Sequence, residues 1–85
     1  MSEDQVAELL EQGIAAAKAG RKEEARQALM QVVDLDERHE QAWLWLSGLV
    51  ESADERRICL ENVLSINPDN AHAQAGLRWL EQQPP

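Results

Sequence analysis

Two histidines and one cysteine are the side chains of this 85-residue sequence best suited to act as base, nucleophile or metal ligand. His39 and His72 each lack a second ligand at the spacing of a metal-binding helix. Both fall near expected helix starts and read as surface residues. Cys59 falls on an apolar helix face, where a buried thiol is inert. The carboxylates lie on polar helix faces with bases nearby, as Arg57 and Glu61 do at i, i+4; such pairs are solvated and worth a few tenths of a kcal/mol. There is no Gly-rich phosphate loop, nucleophile elbow or catalytic constellation. These residues imply a non-enzyme without metal or cofactor and turn the search toward binding.

Charge narrows the partners. The formal net charge is -8, and the eight basic residues are scattered, with only Arg21-Lys22 and Arg56-Arg57 adjacent. Affinity for nucleic-acid phosphates or anionic lipid rests on Lys and Arg clusters, so neither partner is expected. No segment approaches the ~20 apolar residues of a membrane span, so no membrane insertion is expected. A single cysteine forms no internal disulfide. With no signal peptide and no long apolar run, a cytoplasmic location is the expectation. The three tryptophans are the only aromatic residues, so where each one points matters.

No window alternates with period two, so the expected fold is all-α. Ser2 with Gln5 forms a capping box for a first helix that ends at Ala19-Gly20. Val6, Leu9, Gly13 and Ala16 make one stripe on it; Leu10, Ile14 and Ala17 make a second beside it. The second helix spans about Lys22 to Leu35, with Ala25, Ala28, Leu29, Val32 and Val33 inward and Met30 at the edge or outside. A third spans about Glu40 to Val50 around Ala42-Trp43-Leu44-Trp45-Leu46. Apolar residues there cover more than one arc, so this helix needs neighbours on more than one side. Ser52 with Glu55 opens a fourth helix, buried through Ile58, Cys59, Leu60, Val63 and Leu64. Pro68 breaks it, and Asn70 caps a fifth, Ala71 to about Gln82, with Ala73, Leu77 and Leu80 on one face. Gln82-Gln83-Pro84-Pro85 reads as an end or as the start of a Pro-rich linker.

The pattern repeats. Ala28, Leu29, Val32, Val33 and Leu35 recur 31 residues later as Cys59, Leu60, Val63, Leu64 and Ile66. Ala42, Leu46 and Leu49 recur at the same offset as Ala73, Leu77 and Leu80. The first and third helices match at an offset three residues longer, Leu9 with Trp43 and Gly13 with Ser47. The second helical hairpin is therefore three residues short at its tip. A hairpin cannot bury its apolar face alone, and stacking does so.

These residues resemble the tetratricopeptide repeat family. Gly13, Gly20 and Ala25 stand at the spacing of its two glycines and its packing alanine; Trp43, Leu46 and Pro68 stand at its Trp, Leu and Pro positions. The consensus aromatics are replaced by Ala16, Leu29, Val50 and Leu60, the first Pro by Glu37 and the second Gly by Ser47. The resemblance implies one domain, 1–83, of antiparallel hairpins in a short superhelix of five helices. Its parts are a repeat at 6–39, a shortened repeat at 40–70 and a capping helix at 71–82, with 84–85 outside. Removal of the capping helix is expected to expose Ala42, Trp45 and Leu49.

The resemblance also implies a concave groove lined by the first helix of each hairpin. The matching positions are Leu10, Ile14 and Ala17, then Gln41, Leu44, Gly48 and Glu51, then His72, Ala75, Trp79 and Gln82. Leu10 and Ile14 cannot donate hydrogen bonds, so the carboxylate clamp of the family's chaperone-binding members is not expected. An apolar or amphipathic peptide or helix fits better, with a basic flank to match Glu11, Glu40 and Glu51. The implied function is a protein-interaction module; the alternative is self-assembly, a homodimer formed through the same patch. Trp79 is expected exposed, Trp43 in the core, and Trp45 wedged between the third and fifth helices.

Overall fold

Helix ends are set by local chemistry. A computed structural model describes residues 3–84, so the expected cap Ser2 lies outside the described residues. Helix α1, Glu3–Lys18, carries Glu3 and Asp4 in its first turn and Lys18 in its last, each sign matched to the helix dipole. It ends at Gly20, whose φ of 82° is the left-handed conformation that costs other residues strain. The Gly20 N–H bonds the Ala17 carbonyl and the Arg21 N–H the Ala16 carbonyl, which closes a Schellman turn. Helix α2 follows at once, Lys22–Leu35.

The later helices are capped by side chains. His39 Nδ1 accepts from the Ala42 N–H at 3.2 Å and starts α3, Glu40–Ser47. Ser52 Oγ accepts from the Glu55 N–H at 3.0 Å and starts α4, Ala53–Ile66. Asn70 Oδ1 accepts from the Ala73 N–H at 2.9 Å and starts α5, Ala71–Glu81. Each cap satisfies a backbone donor that the helix itself leaves orphaned. The five helices are the only regular secondary structure among the described residues.

Helix α3 stops at Ser47, short of the expected Val50. The Leu49 and Val50 N–H groups both turn back to the Leu46 carbonyl, which tightens the last turn. With three residues fewer at this tip, the chain must turn at Gly48 to reach the Ser52 cap. Val50 still reaches the core at 9% exposure.

Each helix packs on the next in chain order. The molecule measures 40 × 27 × 17 Å, and its thin dimension corresponds to about two helix layers. Two apolar clusters fill it. The first joins Leu29, Val32, Val33, Ala42, Leu46, Val50 and Cys59, with Val6, Leu9, Trp45 and Leu49 packed on it. The second joins Leu60, Val63, Ala73 and Leu80, with Leu44, Leu64 and Leu77 packed on it. Trp43 touches both clusters.

Four expectations differ from the structure. Ile58 is 56% exposed rather than buried, because Cys59, Leu60 and Val63 set the inner arc of α4 and Ile58 lies across the helix from it. Trp43 is only half-buried. Its Nε1–H donates to the Glu37 carbonyl at 2.8 Å, which holds the ring edge at the surface. Arg57 and Glu61 form no ion pair; the pairs among the described residues are Arg21–Glu24 and Arg26–Glu23. Ala42, Trp45 and Leu49 belong to the first cluster, whereas α5 closes the second. Loss of α5 therefore uncovers Leu60 and Val63 first.

Candidate functional site

An open, mainly apolar hollow of about 550 Å³ lies where α3, α4 and α5 meet. Leu44 and Trp45 form one wall, with Ser47 and Gly48 where α3 ends. His72, Gly76 and Trp79 of α5 form the other wall, and Leu60 and Arg56 of α4 complete it. Trp79 is 52% exposed, so the indole stands at the rim.

Gly76 lets α5 sit directly against Leu60 of α4. A Cβ at that position would lie 2.9 Å from Leu60 Cδ1. In the internal repeat, Gly76 matches Trp45, and Leu60 matches Leu29. Trp45 packs on the cluster that contains Leu29. Where the second repeat unit carries an indole, α5 carries a glycine.

The shortened hairpin supplies the polar end. Arg56 stands at the repeat position of Ala25, which is fully buried. Its Nε–H donates to the Ser47 carbonyl at 3.0 Å, one of the acceptors left over where α3 stops early. Ser47 Oγ in turn donates to the Leu44 carbonyl at 2.6 Å. The truncation thus creates an orphan carbonyl and places a guanidinium on it at the mouth of the groove.

The anticipated lining residues do not form one continuous stripe. Leu44, Gly48, His72 and Trp79 come together in this groove. Gln41 shares a separate, more polar hollow with His39, Glu40 and Asn70, which Leu44 also borders. Leu10 borders another, with Val6, Ala7 and Leu35. Glu51 borders a fourth, with Lys22, Arg26 and Arg56. Ile14 and Ala17 are half-buried, and Ala75 and Gln82 are exposed; none of the four borders these hollows. Trp45, Ser47, Arg56, Leu60 and Gly76 were not anticipated in the groove. The repeat offset carried the signal for two of them, since it sets Gly76 against Trp45 and Arg56 against Ala25.

His39, Cys59 and Glu40 are held in structural roles, while His72 is exposed at the groove. His39 caps α3 through its ring nitrogen. Cys59 is buried, and burial, then the charge of Glu55, pushes its thiol pKa up. Glu40 Oε2 accepts from Asn67 Nδ2 at 2.8 Å and from Asn70 Nδ2 at 2.6 Å. These bonds, Asn70's first, lower the pKa of the Glu40 carboxyl. Among the described residues no three His, Cys, Asp or Glu side chains converge to hold a metal ion. No helix among them is long and apolar enough to cross a membrane. No protein-family model, curated protein or solved structure matches the chain.

Proposed function

We propose that the chain is a short helical-hairpin array of the tetratricopeptide repeat kind. In this reading it is a non-catalytic protein-interaction module that takes an apolar or amphipathic segment in the groove between α3, α4 and α5. The observation that carries the reading is the groove itself. An exposed indole, Trp79, stands across an open hollow from Leu44 and Trp45, with Leu60 of α4 also lining it. Rigid aromatic anchors beside aliphatic groups are where binding energy concentrates. Support for the repeat assignment comes from helices α2 and α4, α3 and α5, which keep the same offset in their starts and in their apolar positions.

The same geometry favours one competing reading. Trp79 is a projecting knob beside a hollow, and a two-fold pair could seat each Trp79 in the other's groove. Sedimentation equilibrium over a wide concentration range separates the two, with wild type run beside Trp79→Ala. A receptor stays monomeric in both forms. A wild type that dimerises while Trp79→Ala does not would replace the receptor reading with self-assembly.

A further inference from the structure

One side chain lining the groove, Arg56, carries a fixed positive charge. The chain holds sixteen acids against eight Lys and Arg. Even so, Arg56 is half-buried and makes no ion pair among the described residues. Its side-chain bond is the one from Nε to the neutral Ser47 carbonyl, which fixes the guanidinium and leaves its terminal nitrogens without a carboxylate. On the adjoining side Glu23 accepts a hydrogen bond from Arg26, and Glu51 borders a hollow with Arg56 without forming an ion pair with it. Trp45, Leu60 and Trp79 line the same groove as Arg56, so a guest that covered it would bury a charge pair among apolar groups, where such a pair is stronger than in water.

Resting on the receptor reading above, we propose that the groove recognises an amphipathic helix whose apolar face carries one Asp or Glu side chain, and that this carboxylate pairs with Arg56. Arginine presents a planar donor fork that matches a carboxylate two bonds at a time, and Nε held on Ser47 sets its plane before the partner arrives. Charge complementarity argues against a second copy as the occupant. Each copy carries a net charge of -8, so two copies repel, whereas a foreign helix needs only one acid on its buried face and can be basic elsewhere.

The test is selection of peptides from a random-sequence phage library on the wild-type chain and on Arg56→Gln. The expected wild-type selection has apolar residues at helical spacing plus Asp or Glu at one fixed position. That acid preference disappears on Arg56→Gln while the apolar pattern stays. A synthetic peptide from the wild-type selection should bind Arg56→Gln roughly tenfold more weakly, the loss of one charge-assisted pair. Exchanging its acid for the amide should cost the same on wild type and nothing further on Arg56→Gln. Arg56→Lys keeps the charge but loses the fork and the bond to Ser47, so its acid preference should weaken, and that weakening carries the comparison if Arg56→Gln does not fold. Peptides with the apolar pattern but no acid position, or two exchanges whose costs simply add, overturn the Arg56 assignment and leave the receptor reading standing. Selection of no peptide that Trp79→Ala loses overturns both.

Discussion

Two glycines in this chain look alike in sequence and differ in what surrounds them. A Cβ at Gly13 would lie 2.7 Å from Leu29 Cγ and 2.9 Å from Leu29 Cδ2, and Leu29 is fully buried. That branch point has nowhere to go. Gly13→Ala should lower stability by about 1–3 kcal/mol, overriding the alanine's better helix propensity. At Gly76 the nearest atom is a terminal methyl of Leu60, which lines the groove but is only 3% exposed. Gly76→Ala should cost less than Gly13→Ala, because a methyl rather than a branch point has to give and alanine's better helix propensity, about 1 kcal/mol, offsets part of the crowding. Denaturant titrations of both variants check the pair, and equal destabilisation would mean that Leu60 has no more room to move than Leu29. Trp43 makes a third case. Trp43→Phe should cost about 1 kcal/mol for the bond to the Glu37 carbonyl, and Trp43→Ala about 3 kcal/mol, the low end for a ring only half-buried. None of these contrasts could be read from the chain alone. The repeat placed Gly13 on an inward arc and Trp43 deeper than it lies, and the distance from a glycine to its neighbour depends on how closely two helices approach.

The connection between α3 and the turn before α5 rests on one carboxylate. Glu40 receives both Asn67 and Asn70, so a residue in the first turn of α3 pins the turn that launches α5. The Asn70 and Asn67 hydrogen bonds favour the charged form and lower the Glu40 pKa in the folded state. A group whose folded pKa lies below its unfolded value stabilises fully above the ordinary glutamate range. That contribution is lost as pH falls through the folded value. Glu40→Gln should therefore unfold at a lower temperature than wild type near neutrality, and the gap should close in strong acid. A gap independent of pH would show that the charge at Glu40 is not what holds the turn. Helix α5 itself covers Leu60 and Val63, so a chain cut before Asp69 should lose its cooperative thermal transition. A sharp, unchanged transition would mean that the second cluster does not need its lid. At this scale the sequence was most informative. Gly20, Ser52 and Asn70 mark helix ends because a cap is decided by a few adjacent residues. The early end of α3 was missed because the shortened tip acts through the distance the chain must span to Ser52, and a local pattern does not record that. Arg56 in the groove was missed for the same reason, since only the early end creates the carbonyl it binds.

A molecule about two helix layers thick keeps few atoms far from water, and Cys59 samples that depth. It lies in the first cluster at 6% exposure. Its burial also raises the thiol pKa, which lowers the thiolate fraction available to react. Labelling by a thiol reagent at pH 8 should be blocked in the native chain and complete in denaturant, and its native rate should follow global stability across the variants above. Rapid labelling of the folded protein would place Cys59 in a locally opening segment instead.

The correspondence between Trp45 and Gly76 has a further meaning for ligand design. One unit earlier, the fold packs an indole on the apolar cluster that contains Leu29. For the proposed receptor, a Trp-bearing peptide copied from α3 is therefore the natural first competitor.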